Sequence, residues 1–107
     1  MPFLRALAAL VLISLLLTLP AHAEDLIVSA AASLTNAFKE IGAEFEKAQP
    51  GSKVVFNFAA SGPLLQQIEN GAPADVFASA DQETLDKAAG KKLVDSATRR
   101  NFASNRL

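Results

Sequence analysis

Apolar residues follow two regimes along this 107-residue chain. From Ala6 to Leu19 they run together, interrupted only by Ser14 and Thr18. Beyond residue 24 they come in short strand-length blocks, DLIVSA (25–30), KVVFNF (53–58) and DVFAS (75–79), separated by segments with helical spacing. Leu34, Ala37, Phe38, Ile41, Phe45 and Ala48 recur at three- and four-residue steps, which predicts an amphipathic helix from Leu34 to Ala48. Lys39, Glu40, Glu44, Glu46 and Lys47 lie off that stripe, and Gly42 inside it weakens the helix by about 1 kcal/mol relative to Ala. Pro50-Gly51 predicts the turn out. After the second block, Pro63 suits a first helical position, Leu64, Leu65 and Ile68 supply a short apolar face, and Gly71 predicts the stop. After the third, Asp81 is a good cap whose charge suits a helix start, Gln82 to Ala89 reads as the helix, and Gly90 as its end. Asp95 to Asn105 is polar and suggests no element. The phenylalanines at 38, 45, 56, 58 and 77 fall on helix faces or strands and are expected in the core. The order β-α-β-α-β-α predicts an α/β fold with a parallel sheet and helices packed on its faces.

The first apolar run reads as an address. Arg5 precedes it, Pro20 breaks it, and Ala21-His22-Ala23 follows with small residues at the positions a signal peptidase requires. Residues 1–23 are therefore expected to be a secretory signal, and the run is short against the roughly 20 residues of a membrane span. Residues 24–107 keep nine basic and all eleven acidic side chains, a net charge of −2 against −1 for the whole chain. A nucleic-acid binder would carry a basic stripe, and an acidic disordered tail would lack recurrent apolar residues.

The chain contains no cysteine. That excludes disulfides, zinc–thiolate sites, a thiol nucleophile and a lipid-bearing cysteine, so no direct membrane anchoring is expected. The single histidine, His22, lies in the expected signal, leaving no histidine for a triad or metal cluster in the remainder. Neither a G-x-G-x-x-G nor a G-x-x-x-x-G-K-[ST] nucleotide cradle is present.

Candidate chemistry concentrates in two loops. Ligands of open parallel sheets sit beyond the carboxyl ends of the strands, near helix starts. Two such places, Ala31-Ala32-Ser33 and Ala59-Ala60-Ser61-Gly62, are small, uncharged and carry one serine each. A helix start offers unpaired amide hydrogens and a partial positive charge, which suits an anion. Ser33 and Ser61 each add a hydroxyl donor, although a serine there commonly serves only as a helix cap. A site made of neutral donors fits an oxyanion that is fully deprotonated, because a protonated phosphate also needs an acceptor for its hydrogen. Asp81, at the third helix start, would repel an anion and reads as a plain cap. Asp75 reads as a turn or solvent-facing carboxylate. Lys91-Lys92 and Arg99-Arg100 read as solvated surface.

Taken together, AAASL (30–34), Phe58-Ala59-Ala60-Ser61-Gly62 and the stretch from Gln67 to Asp81, with its GAPADVF core, resemble the periplasmic molybdate-binding proteins of ABC importers. Thr98-Arg99 also sits where that family has such a pair. The resemblance runs from about Leu26 to Leu107. It implies a two-lobed type II periplasmic binding fold that clamps an oxyanion between its lobes, with Ser33 and Ser61 among the ligand contacts. Residues 24–107 would then be the N-terminal portion of the first lobe, which in the family recruits its last portion from the far end of the chain. The implied function is capture of molybdate or tungstate for a membrane permease, by a periplasmic monomer without a cofactor or bond chemistry.

Two other readings follow from the residues. A receptor for sulfate or another oxyanion would use the same donors. An exported α/β hydrolase would need a nucleophile with its base, and no G-x-S-x-G is present. On the two-lobed reading, a segment holding part of one lobe is expected to bind molybdate weakly or not at all. Calorimetry on residues 24–107 checks this, and tight binding would contradict it.

Overall fold

A computed structural model describes residues 25–104; the expected signal at 1–23 lies outside the described residues. Strand β1 spans Asp25–Ala31 and leads through a 3-10 turn, Ala32–Leu34, into helix α1, Thr35–Ala48. Strand β2, Lys53–Ala59, is followed by helix α2, Ser61–Glu69. Strand β3, Val76–Ala78, precedes helix α3, Gln82–Gly90, and a final 3-10 turn covers Ser96–Thr98. The sheet is parallel throughout with order β2-β1-β3, the α/β arrangement that the sequence pattern predicts.

Strand β1 occupies the middle and is covered on both faces, so Val28, Ser29, Ala30 and Ala31 are all buried. Strand β2 is an edge and alternates between exposed and half-buried positions over most of its length. On one face Val28, Ala30 and Ala78 form a core cluster against which Leu34, Phe38, Val54, Phe56 and Phe58 pack. The rings of Phe56 and Phe58 stack with centroids 5.0 Å apart, and Phe38 lies tilted 6.3 Å from Phe56. Helix α2 also packs on β1 and β2, with Leu64 and Leu65 buried.

Helix α1 departs from the expected stripe. Ile41 is 60% exposed and Phe45, expected in the core, 39% exposed, whereas Gly42 is buried. The reason is the closeness of the helix to β2. A Cβ at Gly42 would lie 2.8 Å from Cε2 and 2.9 Å from Cζ of Phe56. The glycine that weakens the isolated helix is thus the point at which the helix meets the Phe56 ring.

The other boundaries shift for local reasons. Helix α2 begins at Ser61, so Pro63 is its third residue and not its first. The first bond of that helix runs from Leu64 N–H to the Ala60 carbonyl at 3.1 Å, so the missing amide hydrogen of Pro63 forfeits nothing. Gly71 ends α2 with φ of +95°, as expected. Gly90 remains helical, and the left-handed position after α3 falls instead on Lys92, at φ of +57°. There Leu93 N–H donates back to the Ala88 carbonyl at 2.9 Å.

Strand β3 is shorter than the sequence suggests because Asp75 takes another role. Its backbone N–H donates to the Ile27 carbonyl, and its carboxylate Oδ2 accepts from Ile27 N–H, each at 2.8 Å. The side chain therefore substitutes for a backbone carbonyl and extends the β1–β3 ladder by one rung. Asp75 is solvent-facing as expected, but it is also structural.

Replacing Gly42 by leucine is expected to lower stability by about 1–3 kcal/mol through overpacking against Phe56. Urea unfolding of the purified chain measures this. An unchanged midpoint would mean that α1 can lift from β2 without loss.

Candidate functional site at the carboxyl rim of the sheet

Parallel pairing brings the two serine loops to one rim. Ala31 pairs with Ala59 in the register of β1 and β2, so Ser33 and Ser61 each follow two residues beyond an opposed pair. The strands that carry them are neighbours, about 4.8 Å apart. Strand β3 is parallel to β1, with Ala78 opposite Ala30, so the loop Ser79-Ala80-Asp81 emerges at the same rim.

Neither serine is a helix cap. In the first loop the Ala32 carbonyl accepts both the backbone N–H and, at 2.7 Å, the hydroxyl of Thr35, which winds Ala32–Leu34 into its 3-10 turn. Ala31 and Leu34 hold the cap positions of that turn and of α1, neither with a side-chain bond. Ser33 is exposed with its hydroxyl uncommitted among the described residues. In the second loop Ala60 is the cap and Ser61 the first helical residue. Ser61 is buried, and its Oγ accepts the Ala80 N–H at 2.9 Å. The hydrogen of that hydroxyl finds no acceptor among the described residues.

The third loop is folded by its own side chains. Ser79 Oγ donates to the Asp81 carbonyl at 2.8 Å and accepts Asp81 N–H at 3.2 Å. Asp81 caps α3 as expected, its Oδ1 accepting Thr84 N–H at 2.6 Å. Hydrogen bonding from Thr84 holds the Asp81 carboxyl below its ordinary value, with a smaller contribution from Lys87 against slight desolvation. The rim thus carries a negative charge at neutral pH, but one already engaged with the start of α3.

Between the first and third loops lies a cavity of about 180 Å³ whose walls include Ser33, Ala80, Gln82, Arg100, Asn101 and Ser104. Pockets for drug-sized ligands measure about 300 Å³ or more, so this space suits a smaller species. Ser33 lines it. Ser61 does not, but its Oγ accepts the amide of Ala80, which does.

The segment beyond α3, to which the sequence assigns no element, closes this cavity. Arg99 donates to Asp86 at 2.7 Å and to Gln82 Oε1, and Gln82 Nε2 donates to Asn101 at 2.8 Å. Arg99, expected to be solvated surface, has a side chain only 25% exposed and clamps the segment to α3. Lys91 likewise bonds Glu69 at 2.7 Å. Sequence reasoning passed over both links because the partners lie on different elements, at separations that no local periodicity marks.

The arrangement supplies hydroxyl and amide donors at a rim of helix starts. No group of three or more His, Cys, Asp or Glu side chains among the described residues is placed to hold a metal ion. No helix among the described residues is long and apolar enough to cross a membrane.

The family described as bacterial extracellular solute-binding protein matches residues 26–107. The chain is similar to the molybdate-binding protein ModA of Escherichia coli, 52% identical over 80 residues, covering 75% of this chain and 31% of that protein. It is also similar to ModA of Mycobacterium tuberculosis H37Rv, 45% identical over 85 residues, covering 79% of this chain and 32% of the relative. Among solved structures, a substrate-binding domain assigned to a molybdenum ABC transporter of Clostridium difficile superposes with a TM-score of 0.61 at 44% identity. That match covers 64% of this chain and 30% of the other. The chain spans about a third of the length of these relatives.

The Asp81 cap generates a pH prediction. Its folded pKa is depressed, so its contribution is complete above the unfolded value and is lost as pH falls through the folded one. Stability is expected to decline below about pH 4. Asp81→Asn, which keeps an accepting oxygen but does not titrate, is expected to remove that component. Thermal melts across the acid range check this; identical pH profiles would contradict it.

Proposed function

The chain belongs to the bacterial extracellular solute-binding proteins, and from that premise we propose that it is the leading segment of a periplasmic receptor that captures molybdate or tungstate for an ABC importer. The observation that carries this reading is the pair of serine-tipped loops leaving one rim in register, Ser33 with an uncommitted hydroxyl and Ser61 with an unused hydroxyl hydrogen. The similarity to ModA proteins supports the same ligand.

In this reading Ser33 and Ser61 donate to the oxyanion, together with amides at the starts of α1 and α2. Small residues around both serines let the ion approach the backbone. The ion meets neutral dipoles, which favours a dianion that brings only acceptors. The receptor binds and releases its ion without bond chemistry and without a cofactor. A membrane permease is its partner, and it acts as a monomer directed by residues 1–23.

Residues 24–107 form part of the first of two lobes. Strand β3 is paired on one side only among the described residues, and Val76 on it is 44% exposed. The remainder of the lobe adds at that open edge. Closure of a second lobe over the rim then completes the site, driven by contacts made only when both lobes touch the ion.

In the full-length protein, Ser33→Ala and Ser61→Ala are each expected to weaken molybdate binding by about 1–3 kcal/mol, the loss of a hydrogen bond to a charged group. Titration calorimetry with molybdate, repeated in competition with sulfate, measures both the loss and the choice of ion. Unchanged affinity in both variants would return the two serines to a purely structural role, and tighter sulfate binding would reassign the ligand.

A further inference from the structure

The bond between Ala80 and Ser61 links two loops that the sequence treats as separate. Resting on the oxyanion reading above, we infer that the backbone amide of Ala80 is a positioning group that sets the Ser61 hydroxyl as a donor toward the ion. A serine hydroxyl has one hydrogen and two lone pairs, and it rotates to suit its surroundings. At Ser61 the Ala80 N–H, 2.9 Å away, occupies one acceptor direction. The hydroxyl hydrogen is barred from that direction, because it would meet another hydrogen. No acceptor among the described residues draws it elsewhere.

Burial makes the choice firm. Ser61 is only 7% exposed, so few waters compete to reorient the group. Accepting one hydrogen bond also polarises the O–H and strengthens it as a donor. The amide itself is held by the third loop, where Ser79 brackets the following residue, accepting Asp81 N–H and donating to the Asp81 carbonyl. The third loop thereby takes part in recognition through Ser61, although its carboxylate, Asp81, is unsuited to an anion.

A double-mutant cycle in the full-length protein tests this, with molybdate as the probe in titration calorimetry. Ala80→Pro removes the N–H. It is expected to weaken binding about 5- to 10-fold in the native background and less than about 2-fold in a Ser61→Ala background. Equal losses in both backgrounds, or no loss in the native one, would overturn the inference. If Ala80→Pro does not fold, the amide proton of Ala80 is followed by NMR in the unmodified protein. Saturation with molybdate is expected to move it downfield, because a hydroxyl that donates to an anion becomes a better acceptor. An amide that stays in place would overturn the inference while leaving the receptor reading intact. Failure of the unmodified protein to bind molybdate would remove both.

Discussion

Strands that pair in parallel must all leave their sheet at the same edge, and this constraint organises everything else in the molecule. Strand β1 pairs in parallel with β2 on one side and β3 on the other. Three loops and three helix starts are therefore delivered to one rim. Had either pairing been antiparallel, one of the three loops would have left at the opposite end of the sheet. The side-chain ladder from Asp75 to Ile27 reinforces the arrangement where β3 is too short to do so by backbone bonds alone.

Packing beneath the rim follows from small residues at close contacts. Gly42 lets α1 approach the Phe56 ring, while Ala30 and Ala78 let the adjacent strands carry helices close to the sheet. The same economy of side chain recurs at the rim, where the exposed Ala32 and Ala60 directly precede Ser33 and Ser61. In the core small residues permit close contact between elements.

The rim is also electrically mixed, which bears on its selectivity. Helix starts offer partial positive charge, and Asp81 offers a full negative one bound to the start of α3. The cation that acts on that carboxylate is Lys87, while Arg99 is engaged by Asp86 and Gln82 and Arg100 lines the same cavity as Asp81.

Much of this was legible in the chain itself. Short apolar blocks and a period of 3.6 placed three strands and three helices to within a few residues, because a strand in the sheet needs a brief apolar run and a helix packed on it buries one face. Helix-stop and cap chemistry at Gly71 and Asp81 was local enough to read directly. Ser33 and Ser61 stood out because two small, uncharged loops with one serine each open two helices of one parallel sheet. What the chain could not declare were relations between elements distant in sequence. The exposure of Phe45, the contact of Gly42 with Phe56, the Asp75–Ile27 bond, the Arg99 clamp and the Ala80–Ser61 bond all join elements separated by a turn or more. Sequence patterns report which face of an element is apolar. Only the folded sheet decides what stands opposite that face, since distance and orientation between elements are set by packing and not by local periodicity.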